Sequence, residues 1–246
     1  GASEKLPGLY RCGGTGNRSA GHYGIQRTRT ERNHRQKTGV SMIKNVVFDI
    51  GNVLARFGWQ EYMDSFHFSE EAYEIIADAT FRSPLWMERD RGVIAEEEIL
   101  KQFIACAPQY EREITLLAEH IQDWIIEYDY SENLVQELKN AGYRVYYLSN
   151  YNRKGFEKAY ASYRFFRHMD GGVVSWQEKL VKPGAEIYRC LLDRYHLKAE
   201  ETLFLDDTLP NIETAENLGF KTVHVTGREA LFEGLKNMLG FELKTR

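Results

Sequence analysis

Apolar and polar positions divide the chain into stretches of different rhythm. From Gly1 to Ser41 Gly, Arg, Ser, Thr and Asn prevail, and apolar residues recur at neither a strand nor a helix period. From Met42 the pattern changes. Ile43–Ile50 is a nearly continuous apolar run, the signature of a central parallel strand buried on both faces. Arg144–Leu148, Thr202–Leu205 and Thr222–Val225 repeat that signature. A helical segment from about Ser131 precedes the second run and stops at Gly142, a residue suited to a helix C-terminus. Helical spacing returns around Ala185–Tyr195 and Pro210–Leu218, with Pro210 placed for a first helical turn. Strands alternating with helices predict an α/β fold, a Rossmann-like parallel sheet covered on both faces.

The stretch from Trp59 to Tyr130 breaks this alternation. It shows no convincing strand, and Ser69–Ala79 and Glu96–Ala105 carry apolar residues at helical spacing. An inserted α-helical cap domain is therefore expected over 59–130, with the core domain formed by 42–58 and 131–246. Residues 1–41 are expected to be a flexible N-terminal extension, an expression remnant or a segment ahead of a start at Met42. Its arginines, among them Arg11, Arg18, Arg27, Arg29, Arg32 and Arg35, would also suit a nucleic-acid-binding arm, but no recognisable motif accompanies them.

Composition narrows the function classes. Hydrophobic content of 43% and charged content of 28% are those of a soluble globular protein. A net charge of −4 gives no general attraction to nucleic acid or anionic membrane, so neither is expected as a partner. No apolar run approaches the roughly 20 residues that span a bilayer. The three cysteines, Cys12, Cys106 and Cys190, are far apart and lack paired spacing. Reduced thiols and a cytoplasmic location are the corresponding expectation.

Ligands of open α/β sheets bind beyond the carboxyl ends of the strands, which makes those ends the place to look for chemistry. The first predicted strand ends in Asp49, the second in Ser149-Asn150 and the third in Asp206-Asp207; Lys182 lies between the last two, ahead of Pro183. Taken singly, Asp49 is as well explained as a cap, Ser149-Asn150 as a turn and Lys182 as a surface lysine. The adjacent acids are the stronger signal, because neighbouring carboxylates repel unless a cation offsets them.

Their order is what identifies them. Phe-Asp-x-x-x-Val-Leu, Leu-Ser-Asn, Lys-Pro-x-x-x-Ile-Tyr and Phe-Leu-Asp-Asp-x-x-x-Asn-Ile, spread from Ile43 to about Val225, resemble the four motifs of the haloacid dehalogenase superfamily. Within it the chain looks most like the phosphatase branch with a small helical cap. That branch includes alpha-D-glucose-1-phosphate phosphatase and the N-terminal phosphatase domain of soluble epoxide hydrolase. The resemblance implies Asp49 as a nucleophile forming an aspartyl-phosphate, and Mg2+ held by Asp49, the Gly51 carbonyl and Asp207, with Asp206 a ligand or supporting partner. It implies Ser149, the amide of Asn150 and Lys182 as the groups that hold the phosphoryl group, and Asn211 as the residue orienting the acidic pair. A small phosphomonoester such as a hexose 1-phosphate is the implied substrate of a monomer or homodimer. Trp86, Arg89 and Arg91 in the insert are candidates for leaving-group recognition, with packing and surface roles as the alternative.

One departure stands out. Most phosphatases of this superfamily carry a second Asp two positions after the nucleophile, where it serves as general acid and base; here that position is Gly51. A good leaving group, a proton donor from the cap or water, or a shift to phosphate-ligand binding with little turnover would each accommodate the loss. A 2-haloacid dehalogenase is the rival within the superfamily, and Asp206-Asp207 argues against it because the pair would repel a haloacid carboxylate.

Overall fold

The computed structural model describes residues 42–241. The expectations for residues 1–41, and for Cys12, lie outside the described residues. Five strands form one parallel sheet: β1 (Asn45–Phe48), β4 (Arg144–Ser149), β5 (Gly171–Val174), β6 (Thr202–Asp206) and β7 (Lys221–His224), in the order β5-β4-β1-β6-β7. β1 is central, with Phe48 opposite Tyr147 of β4 on one side and Leu205 of β6 on the other. All four residues of β1 are buried, as the unbroken apolar pattern requires.

Alternation along the strands sorts the core into two layers. Val46 and Phe48 of β1, Val145 and Tyr147 of β4, and Leu203 and Leu205 of β6 pack on one face, against helices α6 (Ser131–Asn140), α7 (Arg153–Ser162) and α11 (Arg228–Leu239). Val47, Tyr146, Leu148 and Phe204 point the other way, onto α9 (Ala185–Tyr195) and α10 (Leu209–Asn217). Burying side chains such as Phe48 or Leu205 is worth about 1.5–3 kcal/mol each, so a register slip of one residue would invert both layers at large cost. The polar Asn45 is tolerated in β1 because it donates to Thr202 Oγ1 at 3.0 Å and accepts from Arg144 Nε at 2.8 Å.

Three strands, β5 and the pair β2 and β3, escaped the sequence pattern. β5 holds Gly171-Gly172, which reads as a turn, yet Gly172 is required there: a Cβ on it would lie 2.4 Å from the Tyr147 ring on the neighbouring strand. The second correction concerns the stretch 59–130, which is not free of strand. Ile125–Glu127 forms β3, antiparallel to β2 (Ala55–Phe57), with Phe57 opposite Ile125 and Ala55 opposite Glu127. Three residues are too few for a period-2 signal to emerge.

This ribbon is where the chain leaves and re-enters the sheet. Between its strands lie α1 (Trp59–Asp64), α2 (Glu70–Ala79), α3 (Pro84–Arg91), α4 (Glu96–Cys106) and α5 (Glu111–His120), followed by a short 3-10 turn, Ile121–Trp124. They share a core of their own, built on Tyr62, Met63, Ile76, Ile99, Phe103, Ile114 and Leu117. Local signals set the helix ends. Ser69 accepts a bond from the Ala72 amide at 3.2 Å, Ser83 caps α3 ahead of Pro84, and Gly92 closes α3 at a φ of 66°. No helix among the described residues is long and apolar enough to cross a membrane. Cys106 and Cys190 form no disulfide.

Candidate active site

The carboxyl ends of β1, β4 and β6 converge because these three strands are adjacent and parallel. Asp49 follows β1, its amide donating to the Leu205 carbonyl at 2.8 Å, so it continues the ladder by one residue. Ser149 ends β4 and Asp206 ends β6. Lys182 reaches the same point from the loop before α9, and Asn211 from the first turn of α10. All are buried, Asp206 completely and Lys182 to within 1%.

Lys182 is the hub. Its Nζ donates to Asp206 Oδ2 at 2.6 Å and stands 2.9 Å from Asp49 Oδ1. Burial alone would push this ammonium down, but the attraction of Asp206 and Asp49 outweighs burial and holds it above the ordinary lysine range. It therefore stays charged. The Asn150 side chain fixes the lysine's backbone at both ends, accepting from the Lys182 amide at 2.9 Å and donating to its carbonyl at 3.0 Å. This clamp is a function of Asn150 that the sequence did not suggest.

The acids differ in how well they are satisfied. Asp206 accepts from Lys182, from the Thr208 amide at 2.8 Å, and from Asn211 Nδ2 at 2.9 and 3.1 Å. Asp207 is only partly buried and accepts from Asn52 Nδ2 at 2.9 Å. Asn52, which the sequence did not single out as a site residue, sits at a φ of 54°, and its Oδ1 also accepts the Phe57 amide at 3.1 Å. Asp49 is the least satisfied. Its Oδ1 is buried and pairs with the Lys182 ammonium at 2.9 Å without a hydrogen bond of its own. Desolvation, opposed by Lys182 and by a hydrogen bond from the Ser149 side chain and reinforced by Asp206 and Asp207, pushes the Asp49 carboxyl up to about 7.

Asp49 and Asp206 share one ammonium, and Asp207 adds a third carboxylate beside them, which leaves negative charge uncompensated. Asp49, Asp206 and Asp207 each offer an oxygen within 4.8 Å of the others. An all-oxygen set with an orphaned buried oxygen suits a hard divalent cation.

These residues open on a cavity of about 230 Å³. Asp49, Gly51, Asn52, Ser149, Asn150, Lys182, Asp207 and Asn211 form its floor; Phe57 and Ile125 of the ribbon, Trp86 and Asp90 of α3, and Tyr151 and Asn152 form its walls. The residues expected from the four motifs therefore lie together, with Asp206 just beneath the cavity through Lys182. The insert candidates separate. Trp86 faces the cavity, whereas Arg89 is buried against Glu96 at 2.9 Å and over the Trp86 ring, and Arg91 pairs with Glu88 at 3.0 Å. Neither arginine lines the cavity.

Comparison with known proteins agrees with this geometry. The chain is 26% identical over 197 residues to the sesquiterpene phosphatase astK of Aspergillus oryzae, covering 80% of this chain and 97% of that protein. It is 28% identical over 194 residues to the D-ribitol-5-phosphate phosphatase of Bacteroides thetaiotaomicron, covering 74% and 91%. A haloacid dehalogenase family enzyme from Bacteroides thetaiotaomicron, solved with magnesium and inorganic phosphate, superposes with a TM-score of 0.58 at 23% identity over 73% of this chain and 92% of that one. The model of the haloacid dehalogenase-like hydrolases matches residues 43–219, the span that holds the first four strands of the parallel sheet and the converging site. This chain belongs to the haloacid dehalogenase-like hydrolase family.

Proposed function

We propose that this protein is a magnesium-dependent phosphatase that hydrolyses a small phosphomonoester, a sugar phosphate such as a hexose 1-phosphate, through an aspartyl-phosphate intermediate. The observation that carries the reading is the under-satisfied Asp49 at the floor of the cavity, with Lys182 beside it and Asp207 across from it. In this reading an Asp49 oxygen attacks phosphorus in line with the ester oxygen, and water later hydrolyses the acyl phosphate. Asp49, the Gly51 carbonyl and Asp207 would hold magnesium, with Asp206 completing the acidic set and anchoring Lys182. When bound, the ion supplies the positive charge that lets a carboxylate approach a phosphate dianion.

The remaining residues act by position. Ser149 and the Asn150 amide donate to phosphate oxygens, and Lys182 balances charge on the nucleophile and the transferring group. Asn211 keeps Asp206 turned toward Lys182. The helical insert acts as a cap that excludes water and contacts the leaving group through Trp86. The cavity, at about 230 Å³, falls below the roughly 300–1,000 Å³ of sites for drug-sized ligands, which favours a compact ester. The names of the two curated relatives, both phosphatases, support the reaction class.

A panel of phosphomonoesters assayed with magnesium, and again with EDTA, tests the proposal. Turnover of at least one sugar phosphate that vanishes on chelation and returns with magnesium is the expected result. No turnover of any ester at high enzyme concentration would sink it, and metal-independent release of halide from 2-haloacids would replace it with the dehalogenase reading.

A further inference from the structure

The carboxylate missing at position 51 has a counterpart on the part of the cavity lining that the insert supplies. Asp90, in the last turn of α3, lines the cavity together with Asp49 and feels the charge of Asp49. It is the only carboxylate that the insert contributes to that cavity among the described residues. We propose that Asp90 is the general acid and base of the reaction, in place of the residue that Gly51 lacks.

A proton donor must be held in fixed relation to the nucleophile, and α3 is tied to the sheet where Asp90 sits. Ser175, which opens the short helix α8 (Ser175–Glu178) directly after β5, donates its hydroxyl to the Asp90 carbonyl at 2.5 Å. Lys179 donates to the Gly92 carbonyl. Gly92 itself lies against Trp176, where an added Cβ would come within 3.1 Å of that side chain. Tyr151 closes the same wall, and its amide is bound by Ser175 Oγ at 2.9 Å. The end of α3 is thereby fastened to the segments that follow β5 and β4, and β4 is the neighbour of the strand that carries Asp49.

The surroundings also suit a group that must be protonated when the ester arrives. Burial raises the Asp90 carboxyl most; Arg89 and the Asn152 amide pull it down, Glu96 and Asp49 push it up, and the result is about 7. Arg89 is itself engaged by Glu96, which limits its pull. Lys179 is bound to the Gly92 carbonyl.

As the Asp49 oxygen–phosphorus bond forms and the ester oxygen–phosphorus bond breaks, the Asp90 carboxylic acid gives its proton to the departing oxygen, which leaves as an alcohol. The Asp90 carboxylate then takes a proton from water as that water's oxygen attacks phosphorus. The bond to Asp49 breaks, inorganic phosphate departs, and both side chains return to their starting states.

The inference rests on the phosphatase reading, and the experiment separates the two. Asp90→Asn is assayed with magnesium on p-nitrophenyl phosphate and on alkyl phosphates of rising leaving-group pKa. The expected loss in kcat grows along the series, from a few-fold for p-nitrophenyl phosphate to roughly 100-fold or more for an alkyl ester, within the range of general acid catalysis. Adding Gly51→Asp to Asp90→Asn should recover at least 10-fold on the alkyl ester, because an added Cβ at position 51 meets nothing nearer than Asp49 Oδ2 at 3.9 Å. An equal loss on all esters, no loss on any, or no recovery in the double variant overturns the role of Asp90. Should Asp90→Asn fail to fold, the unmodified enzyme decides: a shallow dependence of kcat/KM on leaving-group pKa agrees with a protonated leaving oxygen, and a steep one refutes it. Absence of turnover in the unmodified enzyme would instead refute the phosphatase reading.

Discussion

Replacing Lys182 by Met removes the one buried lysine ammonium among the described residues while keeping most of the stem that packs over the Phe204 ring. Asp206 would lose its 2.6 Å partner and Asp49 its 2.9 Å neighbour, with three acids left facing one another. Breaking a buried ion pair by deleting one partner costs about 3–5 kcal/mol, because the remaining charge has no compensation. For a folded unit of this size each kcal/mol moves Tm by about 2–4 °C, so a fall of roughly 6–20 °C is expected in metal-free buffer. The pH dependence has a definite sign. Asp49 already titrates at about 7 in the folded protein against an ordinary 3.8, and losing Lys182, its largest opposing influence, drives it higher. A carboxyl raised on folding binds more protons folded than unfolded between those two values, so stability falls as pH rises through that window. The penalty should therefore be largest at pH 8 and shrink toward pH 5. Urea unfolding of both proteins in EDTA at pH 5, 6, 7 and 8, followed by tryptophan fluorescence, measures it. A penalty under about 1 kcal/mol, or one that is the same at pH 5 and 8, would refute the argument that Lys182 is the main compensating charge. The same variant should lose roughly 100- to 1,000-fold in kcat, the scale for removing one preorganised electrostatic group.

Asp49→Asn should abolish turnover while inorganic phosphate still binds, measured by calorimetry with magnesium present; continued turnover would remove Asp49 from the reaction. Phe103→Ala empties a position that is 2% exposed in the core of the insert and should cost about 3–5 kcal/mol in urea unfolding. A cost below 1 kcal/mol would mean that the insert's core contributes little to its stability.

The parts of this molecule legible in its sequence are those in which chain order and spatial order coincide. β1, β4 and β6 are adjacent and parallel, so residues at their C-terminal ends meet whatever lies between them, and Asp49, Ser149 and Asp206 could be placed without coordinates. β5 was hidden because its glycines answer to the Tyr147 ring on another strand, a contact that local propensity does not encode. The β2–β3 ribbon was hidden by its length, three residues a side across a gap of more than sixty. Asn150 was visible as a polar residue at a strand end, but its clamp on Lys182 spans 32 positions.

Asp90 shows a further limit. It stands in the run Glu88-Arg89-Asp90-Arg91, where side-chain type does not reveal which charge faces the cavity. The rotation of α3 decides: Arg89 turns inward to Glu96, Arg91 pairs back to Glu88, and Asp90 takes the wall. Position 51 then becomes intelligible. Nothing in the local packing excludes a side chain there, since the nearest atom to an added Cβ is 3.9 Å away, and the backbone is not in the left-handed region that favours glycine. The fold therefore does not demand Gly51. With the proton-transfer group on α3 rather than on the turn after β1, chemistry at Asp49 depends on the insert being docked. Residues that hold the end of α3, Ser175 and Lys179, consequently act on the reaction without touching the substrate.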